Sequence, residues 1–456
     1  MTVRFDLAIR GGTVVTAKGR APLDLYTKEG RIAAVVSPTS GYDAAEVLDA
    51  GGALVLPGMV DTHVHFMEPG DATREDFLEG STAAAVQGVT TVVEHTHGWP
   101  VNSPGKLAEK LDLLRDRAAV DFGLAAHVWP ERIADLPALW RAGIAYFKAF
   151  TCNTHGIPAV PPDKLLELSE TIAPLGAPCL VHCEDDLMTA ANERLLRDAQ
   201  RDDGAVIPEW RSREAELVAT GTVALFSKLR GARFVVAHAS NPEAIALVEA
   251  MRGQGAPILV ECCPQYMRIR EDEILSEGAL RKFTPPARIR SSDDERRMWD
   301  AFNQGQVHHL ASDHAPATRE QKLAGDIWSA HFGLPGIDTT MPLMLDAALR
   351  GRTSLERVVE AYSEAPARAY GLRGKGSLGV GADADVILVD VAAKRELADE
   401  DVLSRAGWTP YAGTPVQGRV SATVLRGRVI VRDGRVEEPG RAGRFVPGAG
   451  YVAGAA

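Results

Sequence analysis

The segment Asp61-Thr62-His63-Val64-His65 closes an apolar run that begins at Leu54. Side chains alternate faces along a strand, so His63 and His65 point the same way, about 6–7 Å apart. Two imidazoles at that spacing can share one metal ion; alone, they can equally be hydrogen-bonded core residues. Three later apolar runs also end in a ligand-type residue: Leu180-Val181-His182, Val235-Val236-Ala237-His238 and Leu310-Ala311-Ser312-Asp313. Four such His and an Asp at one structural level favour a metal site over scattered core polar groups. The run Tyr146-Phe147-Lys148-Ala149-Phe150 adds a Lys inside an apolar strand. A buried ammonium is costly, so it neutralises or reaches an Asp or Glu. A neutral amine can add CO₂ to form a carbamate. That two-oxygen anion can bridge two divalent cations about 3.5–4 Å apart.

Such residues converge only if their strands end at one level. Eight short apolar strands are expected at Leu54–Val60, Thr90–Glu94, Phe122–His127, Ile144–Phe150, Pro178–His182, Phe234–His238, Ile258–Glu261 and Val307–Asp313. Helical periodicity fills the gaps, over Arg74–Gly88, Pro104–Ala119, Pro162–Ala173, Arg213–Arg230, Pro242–Arg252 and Ser292–Gly305. Eight β-then-α units in roughly 300 residues predict an α/β fold, a (β/α)₈ TIM barrel over residues 57–370. A doubly wound sheet is the alternative. The barrel is preferred because the polar outliers all close strands, where a barrel's catalytic mouth lies. Alternating strands with Gly turns occupy both chain ends, as in Phe5–Arg10, Arg31–Val36, Ala384–Val389, Val420–Arg426 and Arg428–Arg432. They predict one small β-sandwich domain built from residues 1–56 and 371–436. Residues 437–456, rich in Gly, Ala and Pro, read as a C-terminal arm, loosely held.

The 456 residues carry a formal net charge of -11, which speaks against a nucleic-acid partner or a polybasic membrane patch. No apolar run reaches membrane-spanning length, and the N-terminus lacks a signal-peptide core. Five Cys without a CxxC pair fit a reducing cytoplasm.

The set of HxH, Lys, His, His and Asp on strands one, four, five, six and eight resembles the amidohydrolase superfamily. More narrowly, it is similar to the cyclic amidohydrolases: allantoinase, hydantoinase, dihydropyrimidinase and dihydroorotase. Pro57-Gly58-Met59-Val60-Asp61-Thr62-His63-Val64-His65 carries the opening motif, followed by Glu68-Pro69-Gly70. His182-Cys183-Glu184, His238-Ala239-Ser240 and Ser312-Asp313-His314-Ala315-Pro316 carry the later ones. The resemblance implies that His63 and His65 hold one divalent ion and His182 and His238 a second. N6-carboxylated Lys148 would bridge them and Asp313 would ligate the first. A hydroxide between the ions would attack a ring amide carbonyl, with Asp313 as general base and then acid. Zinc is the default metal, although imidazole and oxygen donors also accept Mn, Co, Fe or Ni. The expected substrate is a small cyclic ureide or imide, and relatives imply a homo-oligomer, a dimer or tetramer.

Ring specificity rests on loop residues. Dihydroorotases place a carboxylate-binding Arg two residues after the HxH pair, where this chain has Met67. That argues against dihydroorotate, unless Arg288 or Arg290, after Pro285-Pro286, substitutes. Hydantoinases place a Tyr five residues after the bridging Lys; here that residue is Asn153, in a Cys-containing loop of allantoinase type. Met67, Asn153, Pro286 and Gly333, the last in the Gly-rich stretch Ala324–Gly336, are the candidate substrate contacts. His95 and His97 form a second HxH, read as a substrate contact or a loop hydrogen-bond pair. Gly374-Lys375-Gly376-Ser377-Leu378-Gly379 fits GxGxxG but precedes no helix, so it reads as a turn. Dihydroorotase activity is the runner-up. A deaminase on the same barrel is another reading, but its His-x-x-Glu pattern is missing after His182. An assembly protein that has lost its ligands is disfavoured, because all six ligand positions are filled.

Overall fold

A computed structural model describes residues 4–437 and 441–453; residues 438–440 and 454–456 of the expected arm, and 1–3 of the expected first domain, lie outside them. The chain folds as mixed α/β. Phe5–Arg10, Asp24–Lys28, Arg31–Val36 and Ala44–Asp49 form a four-stranded sheet. Leu54–Pro57 belongs to a seven-stranded sheet, pairing antiparallel with Val386–Glu396 in the register Leu388↔Val55. The two chain ends therefore share backbone hydrogen bonds. They also share an apolar cluster that includes Leu7, Ile9, Val14, Leu25, Val55, Leu388 and Val424.

The expected first strand, Leu54–Val60, is two strands broken at Gly58. A Cβ at Gly58 would lie 2.1 Å from Thr90 Oγ1, so the chain can turn there only because that side chain is absent. Beyond the break, Met59–Val64 joins a parallel set with Val89–Glu94 and Asp121–Leu124. A second parallel set follows in chain order: Ala126–His127, Phe147–Phe150, Cys179–His182, Phe234–Val236, Leu259–Cys262 and His309–Leu310. Single backbone bonds link the sets. Ala145 N–H donates to Leu124 and His65 N–H to His314, each at 2.8 Å.

Helices return the chain between strands, and their starts follow local chemistry. Ser103, Ser212, Asn241 and Ser291 each accept a backbone N–H from the first turn, which satisfies a donor the helix cannot. Helix Phe77–Val86 begins three residues later than its periodicity suggests. Asp76 caps it in a reciprocal box with Glu79, so Arg74 and Glu75 stay in the preceding turn. Helices Asp186–Asp198 and Ile337–Leu349 have no counterpart in the sequence reading. The second is buried on nearly every side and contains Pro342, so it lacks the polar face that marks amphipathic helices. The described part of the C-terminal stretch is well held. Phe122 N–H donates to Arg444 and Val446 N–H to Phe122, and Val452 N–H donates to Arg141.

Candidate active site

Parallel pairing sets the level of the strand ends. Phe150 lies opposite His182 in register, and Lys148 lies opposite Leu180. His63, His65, Lys148, His182, His238 and Asp313 all face one cavity of about 310 Å³. His238 and Asp313 sit just past their strands with φ of +36° and +49°. Met67 and His155, also on the cavity wall, have φ of +52° and +54°. Left-handed backbone at non-glycine residues costs of order 1 kcal/mol and clusters at functional sites. Here it turns side chains off the strand ends into the cavity.

The hydrogen bonds behind the His rings fix what the rings present. His63 Nδ1 lies 2.7 Å from Glu261 Oε1, and His65 Nδ1 lies 2.7 Å from the carbonyl of His95. In a neutral ring, each such Nδ1 is the donor, which leaves Nε2 as a lone pair. Both Nε2 atoms face Asp313 Oδ1, at 3.2 and 3.4 Å. Two lone pairs aimed at one carboxylate oxygen call for a cation among them. His182 repeats the pattern: Nε2 lies 2.7 Å from Glu184 Oε2, while Nδ1 faces His238 Nε2 at 3.1 Å. His238 Nδ1 is buried with no partner. Imidazole nitrogens and carboxylate oxygen at such spacing fit divalent transition ions.

Burial pushes His65, His182 and His238 below the ordinary imidazole range, the neutral form that ligates. Burial alone would raise Asp313, but its interactions with His63, His65 and Lys148 hold it below its ordinary value. Lys148 is lowered by burial, against a weaker pull from Glu261 and Asp313. Its Nζ lies 3.5 Å from His63 Nε2 and 5.1 Å from the Phe150 ring centroid. Among the described residues it has no ion-pair partner.

A layer that sequence reasoning missed holds these groups. Glu184 accepts from Arg211 Nη1 at 2.7 Å, Thr284 Oγ1 at 2.9 Å and Arg288 Nη2 at 3.3 Å, besides facing His182. Asp61 accepts from Tyr362 Oη at 2.7 Å and from the Ser312 N–H, which anchors the turn before Asp313. The available signals were Glu261 at the end of its strand and Glu184 within His182-Cys183-Glu184, and neither had an assigned role.

The loop residues divide. Met67 and Gly333 line the cavity, as do His97, Phe150 and Phe332. Asn153 turns away: its Nδ2 lies 2.9 Å from both carboxylate oxygens of Asp186, and it is not on the cavity wall. Pro286 is also off the wall, which Thr284 reaches instead. His95 is packed behind the first pair, its ring 4.6 and 4.4 Å from those of His63 and His65, with Nδ1 3.2 Å from Tyr146 Oη. Cys152 contacts Arg211, and burial pushes its thiol up to about 12, which removes it as a nucleophile.

Residues 54–430 match the model of the amidohydrolase family. The chain belongs to that family. This amidohydrolase is 37% identical over 447 residues to an allantoinase of Rubrobacter xylanophilus, covering 97% of each chain. It is 32% identical to an L-hydantoinase of Paenarthrobacter aurescens, over 98% of this chain and 99% of the relative. Among solved structures, it superimposes on the L-hydantoinase (dihydropyrimidinase) from Arthrobacter aurescens with a TM-score of 0.92 at 31% identity, covering 97% of this chain and all of that one. A dihydropyrimidinase from Brevibacillus agri gives a TM-score of 0.90 at 28% identity, over 98% and 99%. The amidohydrolase therefore shares the mixed α/β fold of the hydantoinases along nearly its whole length. No helix among its described residues is long and apolar enough to cross a membrane.

Proposed function

We propose that this chain hydrolyses the ring amide C–N bond of a small cyclic ureide or imide of the allantoin or hydantoin type. The supporting observation is the convergence of six ligand-type side chains from five strand ends on one cavity of about 310 Å³, room for a single small ring. In this reading His63, His65 and Asp313 hold one divalent ion and His182 and His238 a second. Lys148, as its carbamate, would add anionic oxygen donors to that set. When bound, the ions lower the pKa of water toward neutrality and polarise the scissile carbonyl. Zinc is the default.

The chain's own residues do the rest. Glu261 and Glu184 orient His63 and His182 through their outer nitrogens. Asp313 accepts a proton from water and returns it to the departing ring nitrogen, a role suited to a carboxylate ionised at neutral pH. Phe150, Phe332 and Met67 exclude bulk water from the ring. The scaffold is proposed as a closed (β/α)₈ barrel over residues 57–370, supported by the His65–His314 backbone bond between the first and last parallel strands. Residues 1–56 and 371–436 would form the β-sandwich. A homo-oligomer in the cytoplasm completes the proposal. Leu187, Leu195, Val218, Leu225 and Leu229, exposed on two helices, offer it an apolar face.

The deaminase reading loses ground here. Glu184, the carboxylate nearest that role, is tied to Arg211 and Arg288 and held well below the ordinary carboxylate range. The test is ring opening of allantoin, hydantoin, dihydrouracil and a simple cyclic imide by metal-reconstituted protein. Elemental analysis should find two ions per chain. A protein that carries two ions yet opens none of these rings would refute the proposal.

A further inference from the structure

Among the described residues Arg74 is the one arginine on the cavity wall, which it shares with His63, His65, His155 and Asp313. It lies in the turn that the Asp76 cap leaves outside helix Phe77–Val86. Its Nε donates to the carbonyl of Pro316 at 2.8 Å, which pins the guanidinium plane, and among the described residues neither terminal nitrogen has a hydrogen-bond partner. Among the described residues no carboxylate lies within ion-pair distance. Glu75 is spent on His314 at 2.8 Å and on the Arg405 N–H. Asp71, on the same wall, accepts from Thr73 Oγ1. Burial brings the guanidinium down to about 10, still charged at neutral pH.

Other basic groups near the site already have partners. Arg211 and Arg288 are fully buried against Glu184, and Arg288 also meets Glu216. Arg290 pairs with Glu271 away from the cavity. Lys282 and Lys322 donate to backbone carbonyls of the Trp328–Gly333 loop. Arg74 is thus a partly desolvated guanidinium on the cavity wall with no carboxylate in ion-pair distance among the described residues, fixed at one edge and open at its fork. A carboxylate is the planar, bidentate partner that such a fork recognises.

We infer that the substrate ring carries an anionic carboxylate substituent, and that the terminal nitrogens of Arg74 bind it. This rests on the hydrolase reading above and narrows its substrate class. It also offers a reason for Met67: the charge-reading arginine has moved from the strand end to the turn before the first helix of the parallel region.

The test compares hydantoin with hydantoin-5-acetate, the same ring without and with the carboxylate. Wild-type enzyme should favour the charged ring in kcat/KM. Arg74→Met should erase that preference by raising KM for hydantoin-5-acetate about 10- to 100-fold, the scale of a charged hydrogen-bonded contact, while hydantoin changes less than about twofold. Arg74→Lys, which keeps charge but not the fork, should fall between. Asp71→Asn should improve the charged ring slightly. Equal use of both rings by wild type, or equal loss on both in Arg74→Met, would overturn the inference. Calorimetric binding of the two rings to metal-loaded Asp313→Asn protein reads the same preference without turnover. If that preference is present and depends on Arg74 while no ring is opened, the hydrolase reading fails and the anion site stands. If binding shows no preference, the anion site fails whatever the activity.

Discussion

Two lysines, Lys148 and Lys375, are almost wholly removed from solvent and have opposite surroundings. Lys375 Nζ lies 2.5 Å from Asp121 Oδ2 and 2.9 Å from both Asp383 and Asp385. Burial works against its charge, but three carboxylates outweigh it and raise the amine above its ordinary value. Lys148 has no such partner, and burial dominates. The Lys375 cluster ties the turn leading into the C-terminal strands to the parallel strand Asp121–Leu124, so its charge is structural. Lys148 is held among ligand-type residues, where burial favours its neutral form. A paired buried charge organises a fold, whereas an unpaired one is kept for chemistry.

Lys148→Ala tests the chemical side hardest. Ring-opening activity should fall by roughly 10³-fold or more, the scale of losing a preorganised electrostatic element, with little loss of folding stability. Carbon-13 NMR of wild type under labelled CO₂ should give a carbamate carbon that the variant lacks. Full activity in the variant would break the comparison. Lys375→Met should act the other way. Removing the cation that three buried carboxylates share, with Arg426 left to Asp121 and Arg31 to Asp383, should cost about 3 kcal/mol in urea unfolding, with kcat per folded molecule unchanged. A stable Lys375→Met protein with impaired turnover would mean that the two lysines are not separable.

Glu184 sharpens the contrast, because it is a paired charge that touches the site. Glu184→Gln keeps the shape but weakens its hold on His182 and strands part of the charge of Arg211 and Arg288. Metal affinity should drop about 10- to 100-fold, as for other groups that orient a ligating His. Retitrating apo-protein with Zn²⁺ measures it, and unchanged affinity would remove His182 from the ligand set.

The site's chemical half was legible because strand geometry is periodic. Alternation puts His63 and His65 on one face, and apolar runs that stop at His182, His238 and Asp313 mark strand ends. The supporting half was not, since Glu261 and Glu184 act on residues 198 and 2 positions away, which only parallel register and a turn decide. Arg74 was unreadable for a local reason: its position fits helical periodicity, and the Asp76 cap overrides it. The motif around Lys375 reads as a turn. Gly374 and Gly376 do have φ of +80° and +71°, and a Cβ on Gly376 would lie 2.3 Å from the Ser363 carbonyl. Of the three Asp that surround Lys375, Asp383 and Asp385 are sequence neighbours but Asp121 comes from a distant parallel strand, a convergence that no local pattern encodes.

The smallest effect expected is also a difference in sign. The folded-state value of Lys375 lies above 10.5, its ordinary value, so its stabilisation is complete below 10.5 and is lost as pH rises through the higher folded value. Lys148, unmodified and metal-free, has a folded-state value below 10.5, so burying it costs stability at low pH. That cost fades as pH rises through the folded value and is gone above the unfolded one. In CO₂-free apo-protein, Lys148→Met should therefore be more stable than wild type at neutral pH, and its advantage should shrink as pH climbs toward 10. The deficit of Lys375→Met should stay flat over that range and narrow only above it. Urea unfolding of the three proteins between pH 7 and pH 11 follows both trends. If the Lys148→Met difference ran parallel to that of Lys375→Met, the amine at the cavity would be an ordinary ion-paired lysine, and the distinction between the two sites would be lost.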